Sequence, residues 1–189
     1  MIKNIILFFI FLILPNFSLA CDKEDFLKYV SAEKNRCIAL QTIGEINKNK
    51  KNLIIFLHGD LSSGTKPPGK KGYWKLGNEL LSKNVNFFFL ARPGYTLDSG
   101  RKSYGSYKET RKAKTNYKWE KLELVAKAAQ NLKEYYNADN LIMIGHSGGA
   151  LTSATINGRV PKLIDKSILI SCPCDFEKWR KMRGESVYK

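Results

Sequence analysis

Histidine, long hydrophobic runs and repeated segments are scarce in this chain of 189 residues. Its two histidines, His58 and His146, leave two positions at which an imidazole could act as a base. The longest apolar run, residues 5–14, would span about half of the ~30 Å hydrocarbon core of a bilayer, so it is too short for a membrane anchor. Without an internal repeat, the length and ordinary apolar content indicate one globular domain.

Acidic residues are also few, at 17 against 32 basic ones, which gives a net charge of +15. Such an excess can attract nucleic acid or an anionic membrane. The basic residues are scattered, however, apart from a denser patch at residues 101–118, and no known nucleic-acid-binding module accompanies them. We therefore predict no nucleic-acid partner, and we interpret the charge as a solvated surface, with attraction to anionic lipid or to an acidic substrate as the alternative.

The first 20 residues have the pattern of a signal peptide. Lys3 precedes the apolar run, and small residues at Ser18 and Ala20 favour cleavage between Ala20 and Cys21. We predict export, to the periplasm or the medium, of a domain that covers residues 21–189. Lipid attachment at Cys21 is the alternative, although Leu19 lies one position away from its place in a lipobox.

One stretch, residues 141–150, predicts a buried strand, a sharp turn and a helix, with Ser147 at the turn. A serine is a useful nucleophile when a strained turn holds it exposed beside a base. Gly145 and Gly149 flank the turn, where strand and helix come too close for a β-carbon. His146 lies within the turn, directly before Ser147. The amide of Gly148, at the start of the helix, can point at a developing oxyanion.

Two further strands end in distinctive turns. Residues 53–57 are followed by His58-Gly59-Asp60, and residues 85–91 by Arg92-Pro93-Gly94-Tyr95. Together with the G-H-S-G-G turn at Ser147, these segments resemble the strand-end motifs of the α/β-hydrolase family. They also follow one another along the chain in the family's order. The resemblance implies a doubly wound α/β fold with a mainly parallel sheet, and it implies that the amide of Asp60 is the second oxyanion donor.

The resemblance is incomplete at the catalytic histidine. The family places a carboxylate and then a histidine after the serine, but both histidines of this chain precede Ser147. His58 is expected to be structural, and a sharp turn should direct His146 away from its neighbour. Asp175 is the candidate acid, with capping of a helix as the alternative role. We therefore expect a fold that lacks its C-terminal strands.

Elsewhere the pattern predicts several further elements. We expect helices over residues 22–34, 73–83 and 119–136, and a last buried strand around Ile168, Leu169 and Ile170. In an exported protein Cys21 is predicted to pair with Cys37. Cys172 and Cys174 are expected to stay reduced, because they are too close for an unstrained bridge. A metal site is the alternative for this pair, although no His or further Cys lies near it in the sequence.

Two functions follow as hypotheses. The first is an exported serine esterase or related acyl hydrolase that acts on a small ester-like substrate, with the acid and base supplied by a second polypeptide. The second is a non-catalytic remnant or binding protein that uses its basic surface. We predict no metal and no organic cofactor for either.

Overall fold

The computed structural model describes residues 25–60, 70–81, 84–106 and 117–184. The predicted signal peptide, Ala20 and Cys21 lie outside these residues, so export and lipid attachment stay predictions. None of the helices in the described part combines the length and the apolar character that crossing a bilayer requires.

The described residues form a mixed sheet of six strands flanked by helices. The spatial order is β1-β2-β4-β3-β5-β6, with antiparallel pairs at β1–β2 and β2–β4 and parallel pairs from β4 to β6. The strands are β1 (Tyr29–Glu33), β2 (Arg36–Ile43), β3 (Asn52–Leu57), β4 (Val85–Leu90), β5 (Asn140–His146) and β6 (Lys166–Ile170). This confirms the predicted α/β architecture.

The central strands form because their side chains are apolar on both faces. β4 is buried at every position and β3 at all but its first, as expected for parallel strands covered by helices on both sides. Because β3, β4 and β5 run in parallel, their carboxyl ends meet at one edge of the sheet. The turns after these strands are therefore neighbours, although they are far apart in the chain.

Helices cover both faces of the sheet. They are α1 (Lys70–Leu80), α2 (Trp119–Tyr135), α3 (Gly148–Arg159) and α4 (Phe176–Met182). The predicted stripe on α2 is buried, including Leu122, Val125 and Leu132, and packs against β1 and β2. On the other face, Leu76 and Leu80 of α1 pack against a second apolar cluster that contains Phe56 and Phe87.

The helix predicted for residues 22–34 is wrong where the structure describes it. The chain turns after Asp25 and then forms β1, whose burial alternates with Val30 and Ala32 inside. Pairing with β2 prevails over the local helical pattern, because an alternating strand buries these two side chains against α2.

The prediction of a buried last strand is half wrong. β6 forms, but Ile168, Leu169 and Ile170 are 49%, 39% and 37% exposed. β6 lies at the edge of the sheet, and no other described strand pairs with its outer side.

The prediction that Cys172 and Cys174 stay reduced is also wrong. They form a disulfide across a single proline, with the two Cα atoms 5.0 Å apart, inside the usual range for a bridge. Cys37 is disulfide-bonded as well. Its predicted partner Cys21 lies outside the described residues, so that pairing stays a prediction.

Candidate active site

Ser147 occupies the sharp turn between β5 and α3. Its backbone has φ 51° and ψ −115°, a conformation that costs a non-glycine residue about 1–3 kcal/mol. Its amide donates a 2.8 Å hydrogen bond to the carbonyl of Ile170, which ties the turn to the end of β6. The strain therefore lies at the predicted nucleophile, where packing of the surrounding strand and helix maintains it.

The two glycines that flank the turn are required for packing. A β-carbon on Gly149 would collide with the carbonyl oxygens at the end of β3, at Leu57 and His58. A β-carbon on Gly145 would collide with the backbone of Gly149 and Ala150. Because backbone atoms cannot move aside as a flexible side chain can, the turn tolerates only glycine at these positions.

The loop after β3 lies directly against this turn. A β-carbon built on Gly59 would lie 3.0 Å from Ser147 Cβ and 3.0 Å from His146 Nδ1. One built on Gly148 would lie 2.9 Å from Asp60 Oδ1. The fold thus brings Asp60 and Gly148, the two predicted oxyanion donors, beside each other and beside Ser147. The direction of the two amides stays a prediction.

The carboxylate of Asp60 is the centre of a polar cluster. Arg92 Nη2 donates to Oδ1, and the hydroxyls of Tyr95 and Tyr117 donate to Oδ1 at 3.1 Å and to Oδ2 at 2.5 Å. The Arg92 side chain is 4% exposed, whereas that of Asp60 is 41% exposed. The cluster joins the turns after β3 and β4 to the start of α2.

The charges in the cluster stabilise each other. Burial alone would raise the pKa of Asp60, but the Arg92 guanidinium and three hydrogen bonds hold that pKa below its usual value. Burial would lower the pKa of Arg92, and the Asp60 charge raises it instead. Burial, together with Asp60, raises the pKa of Tyr117. At neutral pH the cluster is therefore an ion pair that accepts a hydrogen bond from the neutral phenol of Tyr117.

His58 is a buried structural residue, as expected. Its Nδ1 donates to the carbonyl of Gly59 at 2.7 Å, and its Nε2 accepts from the amide of Arg92 at 3.2 Å; we assign the tautomer from these partners. Burial and the nearby Arg92 charge lower the pKa of His58 to about 3. Both ring nitrogens are therefore occupied in holding the two turns together.

The two ring nitrogens of His58 hydrogen-bond to backbone groups and not to Ser147. The ring of His146 lies beside Gly59. Asp175, the candidate acid, caps α4 by accepting from the amide of Lys178 at 3.0 Å, which is its alternative role. Its part in catalysis stays a prediction. The described residues also contain no cluster of three or more potential metal ligands.

The sequence interpretation missed the side chain of Asp60 and its partners. It treated Asp60 only as an amide donor and Arg92 and Tyr95 only as members of a turn, and it gave Tyr117 no role. These contacts follow from the burial of Arg92 beside Asp60, which only the structure shows.

Comparison with known proteins identifies the fold. The chain is similar to an esterase of Pyrococcus furiosus, Pf2001, with a TM-score of 0.58 and 20% identity over 85% of this chain. Its TM-score with Est1E of Butyrivibrio proteoclasticus, a structure with bound ferulic acid, is 0.57, at 16% identity over 82% of this chain. The thioesterase domain of the curacin biosynthetic pathway gives 0.51, at 18% identity over 77%. The chain has the α/β-hydrolase fold.

These α/β-hydrolase structures are much longer than the part that matches. The chain covers 56% of each of the two esterases and 45% of the thioesterase domain. No protein-family model matches the chain, and no curated protein sequence is significantly similar to it. The resemblance inferred from the three strand-end motifs is therefore confirmed at the level of the fold.

Proposed function

We propose that this chain is the nucleophile-bearing part of an exported serine acyl hydrolase that acts on a small ester-like substrate. The observation that carries the proposal is the strained backbone of Ser147, held at the carboxyl edge of the sheet against Gly59. The similarity of the fold to esterase structures supports the choice of reaction class.

In the proposed reaction Ser147 Oγ attacks the acyl carbon and loses its proton to a base. The carbonyl oxygen becomes an oxyanion between the amides of Gly148 and Asp60. When the carbonyl re-forms, the base returns the proton to the leaving alcohol, and water then attacks the acyl group and frees Ser147. A carboxylate beside an oxyanion would oppose the reaction. The ion pair with Arg92 and the hydrogen bond from Tyr117 disperse the Asp60 charge, so the site can accept the negative oxygen.

His58 does not serve as the base, because both of its nitrogens hold backbone groups. We propose that a second polypeptide provides it, together with the acid if Asp175 does not serve. Without a base, the oxyanion donors and binding alone are expected to give weak catalysis, about 10³–10⁴-fold above water.

Chemical rescue tests the proposal without a known partner. A fluorophosphonate probe is incubated with the purified chain, and modification of Ser147 is followed by peptide mass spectrometry. Serine oxygen attacks phosphorus, fluoride leaves, and the proton needs an acceptor, so added imidazole should accelerate the labelling. We expect a rate that rises with the concentration of neutral imidazole.

The control variants separate this outcome from general reactivity. Ser147→Ala should abolish labelling, whereas Ser153→Ala removes a buried hydroxyl from the same helix and should leave it unchanged. Absence of labelling at saturating imidazole, in a protein shown to be folded by circular dichroism, would contradict the proposal.

A binding protein is the second candidate function. It is favoured by one observation, that both nitrogens of His58 are committed to backbone groups, so that His58 does not activate Ser147. This candidate predicts no rescue by imidazole. It predicts instead salt-sensitive attachment of the basic chain to vesicles that contain phosphatidylserine, and none to neutral vesicles.

Export and lipid attachment need a separate experiment. Cell fractionation and N-terminal sequencing of the full chain should find the mature protein outside the cytoplasm, beginning at Cys21. Labelling with a radioactive fatty acid that is lost in Cys21→Ser would instead favour the lipid-anchored form.

A further inference from the structure

The segment between β6 and α4 contains a disulfide that is open to solvent. Cys172 and Cys174 are bonded to each other with only Pro173 between them. Cys174 is exposed and Cys172 is half-buried, whereas Cys37, which is also disulfide-bonded, is only 2% exposed. A dissolved molecule can therefore reach the sulfur of Cys174 directly, but not that of Cys37.

Stabilisation of the fold does not account for the bridge between Cys172 and Cys174. In the chain-entropy description, a disulfide stabilises a protein by restricting the unfolded chain, and the gain grows with the length of the loop that it closes. The two cysteines are separated by only two positions in the sequence, so this gain is small. Exposed disulfides are typically the labile and reactive ones.

A cleft adjoins the bridge and gives it a specific surrounding. Its volume is about 180 Å³, and it is lined by Cys172, Pro173, Cys174, Asp175, Lys178, Trp179 and Met182. An apolar cavity of ~150 Å³ is enough to bind benzene, so one aromatic ring fits beside the two sulfur atoms. Asp175 and Lys178 contribute opposite charges, so the lining itself has no net charge that would favour an ionic group.

The apolar side of the cleft is held in place by α4. The ring of Trp179 stacks on that of Phe176 with the centroids 5.9 Å apart, and the guanidinium of Arg183 lies 5.0 Å from the centroid of the Trp179 ring. Met182 is 75% exposed, and its flexible thioether can adapt to a bound group. The cleft therefore offers a fixed aromatic wall and an adaptable edge to an apolar ligand.

We propose that the Cys172–Cys174 bridge is a site of covalent attachment for organic thiols that carry an apolar group of the size of a ring. The thiolate of such a compound attacks Sγ of Cys174, because Cys174 is the more exposed of the two residues. A bond forms between these two sulfurs, the bridge breaks, and Cys172 leaves as a thiolate that takes up the proton lost by the thiol. One disulfide replaces another, so no oxidant is consumed, and the apolar group lies against Trp179.

The attachment site lies at the same edge of the sheet as Ser147. β6 ends at Ile170, whose carbonyl accepts a hydrogen bond from the Ser147 amide, and the bridge begins two residues later. Thiol exchange uses neither the hydroxyl of Ser147 nor the oxyanion donors. The bridge is therefore a second reactive centre at this edge, and its reaction is independent of the proposed function.

Two thiols with the same ethanethiol unit test the proposal, since 2-phenylethanethiol carries a ring and 2-mercaptoethanol does not. The oxidised chain is incubated with each thiol and the exchange is stopped with acid. Early samples identify the modified sulfur by peptide mass spectrometry, and samples at equilibrium give the fraction of chain that carries the thiol. We expect early attachment at Cys174 and none at Cys37.

A synthetic peptide of residues 171–175 with the same bridge is the reference, because it lacks α4 and the cleft. Its ratio of attached 2-phenylethanethiol to attached 2-mercaptoethanol gives the intrinsic preference of the bridge. We expect the ratio for the whole chain to exceed that of the peptide about tenfold. This corresponds to the removal of roughly 55 Å² of apolar surface from water.

Variants of the cleft separate recognition from mere exposure of the bridge. Trp179→Ala should lower the ratio to that of the peptide, and Trp179→Phe should retain most of the preference. Met182→Ala changes a highly exposed side chain and should lower the ratio about threefold. Leu27→Ala is the control, because Leu27 is also exposed, at 49%, and lies next to β1 at the opposite edge of the sheet. Circular dichroism establishes that each variant is folded.

Several results would overturn the proposal. Equal ratios for the chain and the peptide, or an unchanged ratio in folded Trp179→Ala, would show that the cleft does not select the thiol. Early attachment at Cys172 or Cys37 in place of Cys174 would assign the attack to another sulfur. A bridge that stays closed at thiol concentrations that open the peptide would rule out the site. Labelling of Ser147 enters none of these measurements, so failure of one proposal leaves the other intact.

Discussion

Arg92 donates a hydrogen bond from Nη2 to Oδ1 of Asp60, and this ion pair joins the turns that follow β4 and β3. The relationship is asymmetric, since the guanidinium is almost fully buried while the carboxylate is partly exposed. Removing the carboxylate would leave a buried charge without a charged partner in the described part. The pair is therefore a structural requirement of the site as well as an electrostatic one.

Asp60→Asn should lower the free energy of unfolding at pH 7 by about 1–3 kcal/mol, because the Arg92 charge loses its counterion. The loss stays within this range because water can reach the exposed side chain at position 60. Urea unfolding measures the change. Asp139→Asn is the control, because its ion pair with Lys51 is exposed and 4.0 Å long, and it should change stability by less than about 0.5 kcal/mol. Equal effects of the two substitutions would contradict a structural role for the pair.

The same variant predicts a dependence on pH. The pKa of Asp60 is lower in the folded state than its ordinary value of 3.8, so its stabilisation is present above that value and is lost as pH falls through the folded pKa. The difference between wild type and Asp60→Asn should therefore persist from pH 7 to about 4 and shrink below it. A difference that is constant to pH 2 would be inconsistent with this assignment.

Protonation of His58 in the unfolded chain should lower the free energy of unfolding over a higher pH range than the titration of Asp60 does. Its pKa is about 3 when folded and 6.5 in the unfolded chain, so the unfolded state binds the extra proton between these values. Stability should be complete above pH 6.5 and decrease below it by up to about 1.4 kcal/mol per pH unit. His58→Gln keeps an acceptor for the Arg92 amide and should flatten this slope between pH 6.5 and 5. An unchanged slope would show that another group titrates.

Two glycines of α3, one beside the turn and one near the end of the helix, give a matched pair of substitutions. Gly149→Ala pushes a methyl group into backbone carbonyls and should cost at least about 3 kcal/mol or prevent folding. Gly158→Ala meets no atom within 4 Å and should stabilise the helix by about 0.5–1 kcal/mol. Thermal unfolding of both variants measures this. Similar destabilisation by both would mean that packing against β3 is not the reason for Gly149.

The sequence was most informative for elements whose structure follows from their own residues. Short apolar runs predicted β3, β4 and β5, and the glycines predicted the turn at Ser147. Elements that depend on partners were less predictable. Val30 and Ala32 look helical until β2 pairs beside them, and the exposure of Ile168 depends on which strand lies at the edge. Asp60, Arg92 and Tyr117 meet only because three separate turns converge, which spacing in the chain does not encode.

Strain at Ser147 predicts that the nucleophile costs stability. Ser147→Gly relieves the positive φ and should be more stable than Ser147→Ala by about 1 kcal/mol, while both lose fluorophosphonate labelling. Lys162→Gly is the control, since it relieves a positive φ of 69° in an exposed turn and should leave labelling intact. Calorimetry and labelling are measured on all three variants. If glycine gives no gain at position 147 but does at 162, the backbone of the turn is not strained, and the main observation behind the proposed nucleophile is lost.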